Sequence, residues 1–150
     1  ATIRRSWPST IIVDITEEKP IARWGEKQVL NNVGDYLEIT DKQSIKNLPT
    51  FTAEFGKSKE MIKSYQLMSE ILGPTGLKVH EIRRDVVGSW LITTSSGIQI
   101  NLGRDQLVQK LRRFQVVWSA QLTSQVEKIK TIDMRYPNGL SVAWNQDDHI

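Results

Sequence analysis

Ile132-Asp133-Met134-Arg135-Tyr136-Pro137-Asn138-Gly139-Leu140-Ser141-Val142-Ala143-Trp144 is the most legible stretch of the chain. In its first arm Ile132, Met134 and Tyr136 alternate with Asp133 and Arg135, the two-residue period of a strand with one buried face. The second arm alternates Leu140, Val142 and Trp144 with Ser141 and Ala143. Pro137-Asn138-Gly139 between them combines a fixed φ with residues that tolerate positive φ, so the pair reads as a β-hairpin. Only Asn145 to Ile150 follow, so the second arm is expected to lie at the edge of its sheet. An edge leaves a row of N–H and C=O groups unpaired, which makes it either a docking site or an aggregation hazard.

Upstream of the hairpin, Asp105 to Trp118 places Leu107, Val108, Leu111, Phe114 and Trp118 at helical spacing, with continuation toward Leu122 and Val126. Leu77–Val86, Ser89–Thr94 and Gly97–Leu102 alternate as strands, the last two joined through Ser95-Ser96-Gly97. A first helix is expected from Lys57 to Leu72 on the stripe Met61, Tyr65, Met68 and Leu72, capped by Ser58 and stopped by Gly73-Pro74. Gln28 to Ile39 reads as a hairpin about Asn31-Asn32-Val33-Gly34. Residues 1–22 read as another, turning at Trp7-Pro8-Ser9, whose short first arm suggests that the chain is cut from something longer.

Hydrophobic residues make up 39% of the chain and charged residues 25%, the balance of a folded globular domain. The absence of cysteine removes disulfides, thiolate nucleophiles and Cys-based metal sites, and fits either redox compartment. The longest aliphatic run, Ile11-Ile12-Val13, is far short of the roughly 20 apolar residues a membrane span requires. The net charge of +3 is spread out, and Arg4-Arg5, Arg83-Arg84 and Lys110 with Arg112-Arg113 are short runs flanked by acidic or apolar residues. A nucleic-acid-binding module is therefore an alternative without a concentrated basic face to support it.

Catalytic chemistry has little to work with. A hydrolase would have to be centred on His80, yet no nucleophile elbow or H-E-x-x-H accompanies it, and His149 stands near the end of the chain. Gly56-Lys57-Ser58 resembles the end of a phosphate loop, but Phe51 stands where its first glycine belongs. No cofactor and no metal are implied. Among five tryptophans, Trp144 is the one expected to be partly exposed, as a recognition residue on the edge strand with Tyr136 on the paired arm.

Three stretches together resemble a known family: the closing hairpin, Trp7-Pro8 through Pro20-Ile21-Ala22-Arg23-Trp24, and Asn101-Leu102-Gly103-Arg104-Asp105 leading to Leu111-Arg112-Arg113-Phe114. They occur in the order found in the FtsQ/DivIB cell-division family, closest to its proteobacterial branch. The resemblance implies an α+β fold, a mixed or antiparallel sheet with two main helices packed on it. Residues 1–24 would be the last strands of a truncated POTRA domain and 25–150 the β domain. It also implies a non-enzymatic, single-pass inner-membrane protein at the septum, its β domain periplasmic, linking early to late division proteins and binding FtsB and FtsL. FtsB would add a strand at the closing hairpin, where Arg135, Tyr136, Gly139 and Trp144 match the family's partner-binding residues. Asn138, Leu140, Ser141, Val142 and Ala143 complete the candidate site. The chain departs from the family at Val87-Gly88, where relatives carry arginines beside a Ser-Trp matched here by Ser89-Trp90.

Overall fold

The computed structural model describes residues 19–38, 45–53 and 57–145. The strands, in chain order, are β1 (Ala22–Trp24), β2 (Gln28–Leu30), β3 (Tyr36–Leu37), β4 (Thr50–Ala53), β5 (Val79–Arg84), β6 (Trp90–Thr94), β7 (Gln99–Gly103), β8 (Ile129–Asp133) and β9 (Ser141–Trp144). Two helices, α1 (Ser58–Leu72) and α2 (Leu107–Val117), interrupt them. All nine strands join one sheet in the order β3-β2-β1-β4-β5-β6-β7-β8-β9.

β4 and β5 are parallel and joined through α1, and β7 and β8 are parallel and joined through α2. Because β5–β6 and β6–β7 are antiparallel, β4, β5, β7 and β8 all run the same way, and both crossovers step in the same direction across the sheet. Right-handed crossovers then deliver both helices to one face. The helices do pack against each other there, and among the described residues no helix covers the opposite face.

Side-chain alternation follows this layering. Phe51, Ile82, Ile92, Ile100 and Ile132 lie in register on successive strands beneath the helices, each fully buried. On the open face the neighbouring row reads Thr50, Glu81, Thr93, Gln99, Thr131 and Ala143. From α1 come the buried Met61, Ile62, Met68, Ile71 and Leu72, with Tyr65 tilted against Phe51 at a ring separation of 5.2 Å. From α2 come Leu111 and Phe114, then Trp118 where the helix relaxes into a π-turn over Trp118–Leu122 and a 3-10 segment over Thr123–Lys128. The expected continuation of the second helix is thus real but not α-helical.

Ser58 does not cap α1. Lys57 occupies the cap position without a side-chain bond, and the Ser58 hydroxyl donates to Gly34 O at 2.9 Å, seating the helix on the β2–β3 turn. That turn is organised by Asn31, whose Oδ1 accepts from the N–H groups of Val33 and Asp35. Ala22–Trp24 pairs with β2 on one side and β4 on the other, so the described sheet begins ahead of the boundary placed after Trp24. The hairpin expected over residues 1–22 lies, but for residues 19–22, outside the described residues.

Gly34 tests this seating. Its φ is +90°, and a Cβ there would stand 2.6 Å from Lys59 Cα, so neither the backbone nor the helix start can accept a side chain. Gly34→Ala should destabilise the chain by about 1–3 kcal/mol, read as a lower urea midpoint at unchanged m.

Candidate functional site: an open sheet edge

β9 is the last strand of the sheet, and among the described residues nothing pairs with its outer side. Which of its main-chain groups are free follows from β8. Met134 N–H bonds Asn101 O at 2.8 Å, so the even-numbered positions of β8 address β7, and Thr131 and Asp133 address β9. Their register partners are Ala143 and Ser141, and Asn145 N–H continues the inward series onto Lys128 O at 2.8 Å. The main-chain groups of Val142 and Trp144 therefore point away from the sheet.

The side chains divide by face. Val142 stands opposite Ile132 and extends the buried row onto the edge, where it and Leu140 are only partly covered. Trp144 lies on the same side, opposite Ile129, and is 45% exposed. Ser141 and Ala143 face solvent on the open side. A bulge between Ile129 and Thr131 gives β8 one extra residue against β9, and increases the local twist at this edge.

The loop 134–140 departs from the expected tight turn. β8 ends at Asp133, Met134 stays buried, and Tyr136 turns outward to 49% exposure, so Tyr136 does not share the inner face of Ile132 and Met134. The loop is held by two arginines. Arg135 Nη2 meets Asp133 Oδ2 at 2.7 Å while its main-chain N–H donates to Asp133 Oδ1 at 3.0 Å. Arg113, reaching over from α2, donates to the carbonyls of Tyr136, Pro137 and Gly139 at 2.9, 2.7 and 3.1 Å. Nothing in the spacing of the sequence linked Arg113 to the hairpin; a basic residue at helical spacing reads as a solvated position.

The other candidates are scattered. His80 is exposed at a bulge in β5, with no hydrogen-bond or ion-pair partner among the described residues. His149, like Gly56, lies outside the described residues. Of the basic runs, Arg4-Arg5 lies outside the described residues; elsewhere Arg83 pairs with Glu81 at 3.5 Å, Arg84 with Glu60 at 3.4 Å while lying 4.6 Å from the Trp90 ring, and Lys110 donates to Leu102 O at 2.7 Å. A cleft of about 420 Å³ between the end of α1 and the start of β5 is walled by Tyr65, Leu72, Leu77, Lys78 and Ser95, with neither carboxylate nor histidine in its lining. Among the described residues no cluster of three or more His, Cys, Asp or Glu can hold a metal, and no helix is long and apolar enough to cross a membrane. Arg135, Tyr136, Asn138, Gly139, Leu140, Ser141, Val142, Ala143 and Trp144 do come together, on one loop and one strand.

The fold is thus a helix-backed mixed sheet that ends, among the described residues, on the unpaired edge of β9. The family model for the C-terminal region of the cell division protein FtsQ/DivIB matches residues 22–135, and the chain belongs to that family. It is 36% identical over 95% of its length to the cell division protein FtsQ of Cellvibrio japonicus, covering 44% of that protein. The FtsQ proteins of Methylomonas methanica and Xanthomonas campestris are 33% and 34% identical over 97% and 95% of the chain, covering 58% and 51% of theirs. The chain spans about half the length of these relatives. The matched model stops at Arg135, while the alignments to whole relatives extend over nearly all of the chain.

Asp133 connects the site to pH. The hydrogen bond from the Arg135 side chain is the main cause holding its carboxyl below the ordinary carboxylate range, against an opposing push from burial. A carboxyl whose pKa is lower folded than unfolded stabilises the fold above its unfolded pKa, and that contribution is lost as pH falls through the folded value. Asp133→Asn should accordingly flatten the acid side of the stability profile, in the range at and below ordinary carboxylate titration. Urea midpoints measured from neutral to acid pH would show it, the wild type losing more than the variant.

Proposed function

We propose that the chain is a non-enzymatic scaffold of the divisome, periplasmic in the whole protein, whose β9 edge accepts an extended segment of FtsB by β-augmentation. FtsL would join the same assembly, linking early to late division proteins at the septum. The observation that carries the reading is the edge itself: outward main-chain groups at Val142 and Trp144, in a strand unpaired on one side among the described residues. In this recognition mode main-chain hydrogen bonds supply affinity and alternate side chains supply specificity.

The side-chain chemistry supports it. Val142 is the last member of a row buried everywhere else, and an added strand would bring the next member and dry that end of the core. Tyr136, in the loop that leads into β9, and Trp144, at the end of the strand, stand half-exposed, and both residue types are enriched among the anchors that dominate interfaces. The POTRA remnant over residues 1–24, whose last three residues pair as β1 into the described sheet, belongs to the same proposal.

Proline substitution separates fold from docking, because it deletes one N–H. Ser141→Pro removes an inward group and should unfold the β8–β9 ladder. Val142→Pro removes an outward one and should leave the chain folded while abolishing capture of the FtsB periplasmic segment. Tyr136→Ala and Trp144→Ala should each weaken capture some thirtyfold, the equivalent of about 2 kcal/mol. Titration calorimetry finding wild-type affinity in Val142→Pro and in both alanine variants would reject the edge reading.

A further inference from the structure

The loop 134–140 has no internal scaffold of its own. Among the described residues no main-chain pair bonds across it; Arg135 N–H ends on the Asp133 side chain, and Met134 N–H is committed to β7. The cross-links a tight hairpin would make between its own main-chain groups are replaced by the Arg135–Asp133 pair at its start and by one guanidinium, that of Arg113, across its middle. Arg113 spans three carbonyls, those of Tyr136, Pro137 and Gly139, and stands on an α2 that is itself tied down one turn earlier by Lys110 on Leu102 O. A planar fork with five donors can span such a set; a lysine ammonium is a compact point charge and cannot.

We propose that Arg113 is a positioning residue for partner docking, an inference that rests on the reading of β9 as the partner's edge. It fixes the loop so that Tyr136 stands outward and β9 leaves the loop already in register with β8. The three hydrogen bonds it makes all end on carbonyls of its own chain, so it acts through the loop. Ordering a loop on association subtracts from affinity, and a loop ordered beforehand avoids that cost. A different role, direct attraction of an acidic partner side chain, requires only the positive charge and would survive lysine.

The test uses the 150-residue chain, the FtsB periplasmic segment as probe, and the variants Arg113→Lys and Arg113→Gln. Both variants should bind about tenfold more weakly per folded molecule. Hydrogen exchange of amides in the loop and β9 should accelerate, while that of β5, β6 and β7 stays as in the wild type, which also reports that the variants are folded. Wild-type affinity in Arg113→Lys would overturn the proposal in favour of simple charge. Unchanged loop exchange, or a binding loss that only tracks the unfolded fraction, would overturn it too. Val142→Pro run in parallel keeps the two readings apart: if it binds normally, the edge reading fails, whereas if it alone loses binding, only the role of Arg113 does.

Discussion

One line of apolar side chains, Phe51, Ile82, Ile92, Ile100, Ile132 and Val142, crosses six adjacent strands in register. Full burial of such a side chain stabilises by roughly 1.5–3 kcal/mol, and a slip of one residue in a strand would turn its member to water and bring a neighbour such as Thr50, Arg83, Gln99 or Ser141 inward. The row thereby fixes the register of every strand it crosses. It also fixes where the described sheet ends: Val142 is covered by its neighbour on one side and has none on the other. Cover and exposure at the edge are the same constraint seen from its two ends.

Chain connectivity explains why this edge is left open. Each helix returns over the sheet between two parallel strands, α1 from β4 to β5 and α2 from β7 to β8. β9 enters by a hairpin, the connection that adds a strand without adding a helix. Its outer main-chain groups are therefore beyond the reach of the helical layer, and among the described residues the hydrogen bonds from α2 to the hairpin all come from Arg113.

What was legible in the sequence was what is local. The alternation in β6, β7 and β9 and the helical stripes of α1 and α2 depend on neighbours within a few residues, and they fold as read. The parallel pairing of Ala22–Trp24 with β4 was not legible, because partners more than twenty residues apart leave no periodic trace. Tyr136 was assigned inward on a period that stops at Asp133, where Arg135 folds back on the carboxylate. Ser58 read as a cap because its position in the sequence is right for one; its hydroxyl instead serves a carbonyl on another turn. Arg113 was invisible for a similar reason, since a guanidinium bound to carbonyls leaves no charge partner to find. For the site, the strand was legible and its support was not.

The two edges of the sheet differ in a way that bears on function. An exposed strand invites any other strand, and proteins restrain such edges with shortness, charge, proline or a bulge. β3 is only two residues long and runs into Glu38. β9 is twice that length, Ser141-Val142-Ala143-Trp144, with neither charge nor proline in it, and the adjacent bulge belongs to β8. An edge left this unguarded, with a large aromatic at its end and a core row stopping at its centre, would be a liability in a domain that stayed unpaired. The same features are assets once a specific strand is the usual occupant, because every group that endangers the free domain is then a contact. That asymmetry between the edges of the described sheet is the physical ground on which the proposal places recognition at β9.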